Sequence, residues 1–201
     1  MTGPFEFLEP SGAAVARSPM EGQALAAGAR MEVRDGWNVA AEYPGARAEA
    51  PVGWADLSHL RKLEVTGPHQ LSFGTAARVD GAWWCPVTRE RTLVIGGAGV
   101  EGLEVTTTLA ALAIVGPQAR ELLARFCALD LRAQSMPVGG FRPGSVARTP
   151  GYVLREDAER FLILFGWALG EYLWTVVADA ASGLGGAPMG IDALDREAAR
   201  A

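Results

Sequence analysis

Apolar and polar positions alternate along much of the chain, and the helical spacing of three and four takes over only beyond residue 116. The clearest strand is Val105–Pro117, VTTTLAALAIVGP, a β-branched, half-buried run that ends on a Gly-Pro corner. An echo lies upstream at Trp54–Pro68, WADLSHLRKLEVTGP, with a hydroxyl-bearing start, alternating apolar positions and the same terminal Gly-Pro. A second shared block follows each of them. Gly74–Gly81 leads to Leu93–Gly96, and Gly144–Gly151 leads to Ile163–Gly166, at a constant offset of 70 residues. The Gly-Pro corners are offset by only 49, so the second copy carries an insertion between its blocks. The pattern predicts a duplicated half, trimmed in its first copy and full in its second.

Taken in order, residues 1 to 30 are rich in Ala, Gly and Pro and read as an arm lying on the body rather than a core element. Met31–Val39 alternates and reads as a strand or a hairpin, with Asp35-Gly36 at a turn or a bulge. Glu42 to Gly53 is loop. From Gly67-Pro68 the first half goes straight into a hairpin joining Arg78–Trp84 to Thr92–Gly96, with Pro86 in the turn or on an edge. In the second half Pro117 opens a helix whose apolar face is Ala119, Leu122, Leu123, Phe126 and Cys127, with Glu121 and Arg125 paired outside. Ala133 to Pro143 is loop, and Val146–Leu154 and Arg160–Phe165 form a hairpin over Glu156–Glu159. A last long helix spans Trp167 to Ala181, turning Leu169, Leu173, Val176, Val177 and Ala180 inward, with Gly183 as its stop. A loop then enters a short polar helix. The expected fold class is α+β: duplicated, mainly antiparallel sheet halves with helices on one face, the first half lacking its helix. Its parts are an arm (1–30), a first half-repeat (31–99) and a second (100–201), the two halves forming one folding unit.

Composition narrows the picture. With 201 residues, 49% of them hydrophobic and 20% charged, the chain can bury a core without staples. A net charge of −5 without a basic run argues against nucleic acid or an anionic membrane surface as partner. Lys62 is the single lysine, which leaves little supply for Schiff-base or P-loop chemistry. Cys85 and Cys127 sit among apolar residues and read as two buried free thiols of a reducing compartment. The first residues lack a basic stretch ahead of an apolar core, so no secretory signal is read there. Phe161–Ala178 carries one charge, Glu171, but Gly166 and Gly170 interrupt it, and a strand turning into a buried helix describes it better than a membrane span. The expected compartment is the cytoplasm.

Several tempting motifs fail on geometry. Gly96–Gly102 is glycine-rich but is followed by a strand where a dinucleotide loop needs a helix, so it reads as a linker. His59 and His69 have no Cys, Asp or Glu at ligand spacing, and no metal site is expected. Ser58 and His59, as neighbours on a strand, face opposite sides and make a poor nucleophile–base pair. Asp192 and Asp195 stand near a helix start, where carboxylates complement the helix dipole. Trp83-Trp84-Cys85-Pro86 is the most unusual tetrapeptide: adjacent tryptophans point to opposite faces, one into the core and one outward.

Asp56-Leu57-Ser58 with Lys62–Pro68, then Leu112–Ala119, then Pro188–Asp195, resemble the first-half, second-half and closing signatures of one family. It is the folate-binding module shared by the glycine-cleavage T-protein, an aminomethyltransferase, and its relatives. The similarity touches most of residues 31 to 195. Within that superfamily, Arg17–Met20, Cys127–Leu131 and the run from Arg160 to Trp174 look most like the gamma subunit of heterotetrameric sarcosine oxidase. Departures from the pattern bear on function. The place of the family's catalytic Asp falls near Trp84-Cys85, which holds no acid, and its folate-contacting Glu would fall near Arg200. The Lys-Gly-Cys-Tyr motif of the iron–sulfur-assembly relatives is missing.

The resemblance implies the fold, no catalytic residue of this chain's own, and at most weak tetrahydrofolate binding with no tightly held cofactor. Trp84 would stack the pterin, and Arg78 and Arg148, read as equivalent repeat positions, would pair with the glutamyl tail. Pairing of either arginine with an acid across its hairpin explains it equally well. Trp83, Trp84 and Leu93 would anchor partner subunits or a second copy on the sheet face that the trimmed half leaves bare. The expected function is a non-catalytic subunit or accessory protein of folate-linked one-carbon metabolism, a sarcosine-oxidase-gamma-like scaffold of a larger flavoenzyme. The alternatives are a free-standing tetrahydrofolate-dependent aminomethyltransferase or methyltransferase, and a ligand-free interaction module.

Overall fold

Asp35 and Gly36 both take positive φ, 49° and 78°, and this two-residue turn reverses the first hairpin, the turn rather than the bulge of the two forms its sequence allows. The structure is a computed structural model that describes residues 14–45 and 50–198. It opens with β1 (Ala16–Arg17), α1 (Glu21–Ala26), β2 (Arg30–Arg34) and β3 (Trp37–Glu42), the strands forming a small sheet in the order β1-β3-β2. The arm was expected to stay out of the core, but Met20 and Ala24 are 0% and 1% exposed in the helix-side core. A helix of six residues is too short for a period to register in sequence, and packing rather than propensity holds it. Residues 1–13 of that arm lie outside the described residues.

The central elements are β4 (Gly53–Asp56), β5 (Lys62–Thr66), β6 (Ala77–Val79), β7 (Ala82–Pro86), β8 (Arg91–Ile95), β9 (Leu103–Glu104) and β10 (Leu109–Val115). After them come α2 (Ala119–Ala124), β11 (Phe141–Val146), β12 (Thr149–Asp157), β13 (Arg160–Gly166), a 3-10 turn at Trp167–Leu169, α3 (Gly170–Ser182), β14 (Ala187–Pro188) and α4 (Ile191–Ala198). They form a six-stranded sheet, β11-β12-β13-β10-β4-β14, and a five-stranded one, β6-β7-β8-β5-β9. Apart from β14 the two orders correspond strand for strand. All neighbours in them are antiparallel except β14 on β4.

The two long strands expected from the repeat are each broken, and the break is what joins the sheets. β4 turns at 57–61 into β5 of the other sheet, and β9 turns at 105–108 into β10. Each incoming strand pairs across: Asp56 lies opposite Leu112, and Glu104 opposite Leu63. Hydroxyls brace the crossing. The Ala111 N–H donates to Ser58 Oγ at 3.2 Å while Leu57 N–H donates to the Ala111 carbonyl at 2.9 Å. In the mirrored arrangement, Lys62 N–H donates to Thr106 Oγ1 at 2.9 Å and Val105 N–H to the Lys62 carbonyl at 2.9 Å. The hydroxyl-bearing start of each repeat is thus a set of cross-braces, not strand surface.

Other departures are local. Arg78–Trp84 contains a turn, Asp80-Gly81, with φ of 48° and 80°, so the first hairpin has three strands. The expected loop before residue 143 ends in β11, whose Pro143 sits on a sheet edge where a missing N–H costs no ladder bond. The helix α2 stops at Ala124, leaving Phe126 and Cys127 half-buried beyond it, while Glu121 and Arg125 pair at 3.6 Å as expected. Phe161–Ala178 divides among β13, the 3-10 turn and α3. Among the described residues no helix is long and apolar enough to cross a membrane.

Three clusters make up the interior. Helices α1, α2 and α3 cover one face of the six-stranded sheet, where Trp54, Leu112, Ile114, Phe161 and Ile163 meet Leu122, Leu123, Leu173 and Val177. The opposite face, with Ala55, Ala111, Ala113, Leu162 and Leu164, packs on Cys85, Leu93, Ile95 and Trp83 of the five-stranded sheet. Ile191 and Leu194 of α4 close the rim of that layer. The third cluster, Leu63, Ala82 and Val94 with Val65, Trp84 and Val100, lies on the outer face of the five-stranded sheet.

That outer face was expected to be bare, and it is not. Leu63, Ala82 and Val94 are at most 1% exposed. The glycine-rich segment 96–102 lies over them. A Cβ on Gly97 would stand 2.6 Å from Cβ of Ala82, and one on Gly102 would stand 2.9 Å from the Glu64 carbonyl. Glycine backbone and the Val100 side chain fill the place that a helix takes on the other sheet, which explains the glycines better than a plain linker does.

Two outcomes follow for denaturation in urea. Ser58→Ala leaves the Ala111 N–H buried without a partner and should lower stability by about 1–3 kcal/mol. Gly97→Val, at φ 73° and against Ala82, should cost at least about 1–3 kcal/mol through overpacking. The same change at Gly99, which meets nothing within 4 Å, keeps the backbone strain and isolates the packing part.

Candidate functional site

Where the two sheets part, Arg78 of β6, Val115-Gly116-Pro117 after β10, the Glu156–Arg160 turn and Asp195 of α4 line a cleft of about 760 Å³. Its wall is a connected set of side chains. Trp83 Nε1–H donates across the sheets to Glu156 Oε1 at 2.9 Å, and Arg160 Nε donates to Glu156 Oε2 at 2.8 Å. The Arg78 guanidinium stands 5.8 Å from the Trp83 ring centroid, within cation–π range. Behind the turn Arg155, 8% exposed, donates to the carbonyls of Met136, Ala158 and Asp157 at 2.9, 2.9 and 3.2 Å. Its guanidinium also lies 5.4 Å from the Phe161 ring. A buried cation satisfied by backbone carbonyls fixes the shape of the β12–β13 turn. The cleft therefore offers one paired guanidinium, one exposed guanidinium and the carboxylates of Asp157, Glu159 and Asp195, an arrangement that suits polar binding. No cysteine, serine or histidine lines it.

The expected site residues disperse. Trp83 and Trp84 do face opposite ways: Trp83 into the inter-sheet layer, Trp84 half-buried in the outer cluster. Leu93, expected at an interface, is 4% exposed inside the inter-sheet core, so Trp84 alone of that trio faces outward. Arg148 sits at φ 62° in the two-residue turn Ala147-Arg148, beside the Ala147 carbonyl that accepts the Tyr172 hydroxyl at 3.0 Å. Its counterpart in the first hairpin is Gly81 of the Asp80-Gly81 turn, not Arg78, which lies within β6 opposite Trp83. The matching glycine spacing hid a difference in hairpin length. Trp84 lies on the outer face, Arg78 in the cleft and Arg148 in the turn of the other hairpin. Cys85, at the place where the resemblance implies a catalytic carboxylate, is 0% exposed, and burial, with the Glu156 charge adding, pushes its thiol well above the ordinary range. Both cysteines are free, Cys127 half-buried rather than buried.

A second polar centre was missed in sequence because its lysine was weighed only as chemistry. Lys62 is 0% exposed, and its Nζ donates to the carbonyls of Ser58 at 2.9 Å and Leu60 at 2.8 Å. Burial lowers its pKa to about 8. Asp56 accepts the Ser58 N–H at 2.9 Å, and burial holds its carboxyl above the usual range against hydrogen bonds from Ser18 and Ser58. His59, in the turn rather than on a strand, is lowered by burial to about 4. Tyr43 is raised by burial and by the Asp56 charge. Among the described residues no group of three His, Cys, Asp or Glu could hold a metal ion.

No protein-family model matches the chain. Aminomethyltransferases of Parafrankia sp. (strain EAN1pec) and Frankia alni are each 27% identical to it over 89% of its length, and that of Bacteroides thetaiotaomicron is 26% identical over 89%. The chain spans 62% of the length of these curated relatives. Among solved structures, a chain of the heterotetrameric sarcosine oxidase from Corynebacterium sp. U-96 superposes with a TM-score of 0.66 at 18% identity, covering 84% of this chain and 96% of that one. Glycine cleavage system aminomethyltransferase T from Bartonella henselae gives 0.69 at 16% identity, covering 89% of this chain and 60% of that one. The chain is thus similar in sequence to aminomethyltransferases and shares its fold with a sarcosine oxidase chain and with aminomethyltransferase T.

Proposed function

We propose that the chain is a non-catalytic subunit or accessory protein of folate-linked one-carbon metabolism, a sarcosine-oxidase-gamma-like scaffold of a larger flavoenzyme. The observation that carries this reading is at Trp84-Cys85. Where the superfamily's general acid–base carboxylate is expected, this chain has a half-buried indole and a fully buried thiol whose pKa is raised, neither able to move a proton at neutral pH. Support comes from the fold likeness that runs through 96% of a sarcosine oxidase chain. The dispersal of Trp84, Arg78 and Arg148 supports at most weak tetrahydrofolate binding, with Arg78, exposed in the cleft, as the group left to meet a carboxylate. Trp84, with Val79 at 49% exposure in the neighbouring strand, is the apolar ground for a partner contact. The rival reading, a free-standing aminomethyltransferase, draws on the sequence relatives at 26–27% identity.

Two measurements separate the readings. Assayed alone with tetrahydrofolate and an aminomethyl donor, the protein should show no turnover, and calorimetry should show no low-micromolar tetrahydrofolate binding. Turnover that a point change in this chain abolishes would decide for the transferase. Co-expressed with sarcosine-oxidase alpha and beta chains, the protein should elute with them, and Trp84→Ala should weaken that complex by roughly 2 kcal/mol. Elution as a free monomer at micromolar concentration would remove the scaffold reading.

A further inference from the structure

The cleft between the sheets carries charges of both signs that do not pair with one another. Its inner contacts are complete, since Glu156 accepts Trp83 Nε1–H at 2.9 Å and Arg160 Nε at 2.8 Å. The backbone of the β12–β13 turn is committed as well. Gly116 N–H donates to the Glu159 carbonyl at 3.0 Å, and Arg155 donates to the carbonyls of Asp157 and Ala158 at 3.2 and 2.9 Å. Arg78, Asp157, Glu159 and Asp195 line the same space, are exposed, and enter none of the ion pairs found among the described residues. We propose that this cleft binds a basic amino acid, with its carboxylate on Arg78 and its two cationic groups among Asp157, Glu159 and Asp195.

Charge balance selects the ligand class. With Glu156 and Arg160 satisfying each other, one guanidinium faces three carboxylates across the cleft. That lining is complementary to a molecule with one negative and two positive groups. An anionic ligand, a glutamyl tail included, would meet one attractive side chain and three repulsive ones.

Geometry keeps the two signs apart for a ligand to bridge. Arg78 comes from β6 of the five-stranded sheet, whereas the acids come from the β12–β13 turn of the other sheet and from α4. The Arg78 guanidinium stands 5.8 Å from the Trp83 ring centroid, and Trp83 is itself fixed by Glu156. A guanidinium stacked in this way still presents its N–H groups to a carboxylate at its edge. The volume of about 760 Å³ falls within the range of small-molecule sites, roughly 300–1,000 Å³. The site does not depend on the scaffold role, because none of its lining lies in the outer cluster that holds Trp84.

Calorimetry of the full chain with L-arginine at low salt should show saturable binding that added sodium chloride weakens. L-arginine methyl ester lacks the carboxylate, and L-citrulline lacks the side-chain cation. Each should bind about tenfold more weakly, the size of one charge-assisted hydrogen bond, and L-glutamate should not bind. Arg78→Gln should bind L-arginine and its methyl ester alike, and Glu159→Gln combined with Asp195→Asn should bind L-arginine and L-citrulline alike. All three positions are exposed, so these variants should keep the wild-type thermal midpoint. No saturation at millimolar L-arginine, equal binding of the ester or of L-glutamate to the wild type, or a preference over the ester that survives Arg78→Gln would each overturn the site.

Discussion

Everything in this fold depends on the exchange of incoming strands between the two sheets. β4 belongs by chain order to β5 but pairs with β10, and β9 belongs to β10 but pairs with β5. A sheet that takes a strand from the other half is not completed by its own half. The exchange needs two sharp breaks, at 57–61 and 105–108, whose backbone groups would be buried without partners. At each break a side chain also serves the sheet being left: Ser58 accepts the N–H of Ala111 in β10, and Thr106 that of Lys62 in β5.

The two sheets then solve the same burial problem with different materials. The six-stranded sheet has helices, and Leu122, Leu173 and Val177 lie over its outer face at 0% exposure. The five-stranded sheet has no room for one between Thr66 and Ala77, and the segment 96–102 lies over it instead. A short glycine-rich segment covers less than a helix does, and Trp84 stays half-buried beside Leu63 and Val94. The difference concentrates whatever partner contact this face makes at one indole, whereas the neighbouring Trp83 is spent on joining the sheets through Glu156.

Charge is used sparingly inside. Lys62 and Arg155, the cations at 0% and 8% exposure, both bind backbone carbonyls of turns rather than carboxylates. Such bonds fix loop shape where two strands leave a sheet, at the crossover in one case and at the wall of the cleft in the other. The cleft inherits its geometry from them. Its Arg78, Glu156 and Arg160 come from three strands in two sheets, and only the packing of those sheets makes them neighbours.

Much of this was legible in the chain. Period-two alternation marked most strands, the helical spacing from Ala119 marked α2, and Asp35-Gly36 and Gly183 marked a turn and a stop correctly, because each is a local choice written in neighbouring residues. Opposite facing of Trp83 and Trp84 was likewise local, a consequence of the pleat. Which face was covered, and by what, was not. Leu93 and Trp84 alternate on the same hairpin, and no spacing shows which side meets another sheet. The broken strands were read as continuous because the residues that break them, Ser58 and Thr106, take their partners from the other half of the chain. Arg78 and Arg148 matched in sequence but not in register, since ladder pairing is set by hairpin length. The cleft between the sheets was invisible for the same reason: it assembles residues tens of positions apart, and only tertiary packing puts Trp83 on Glu156 and Gly97 against Ala82.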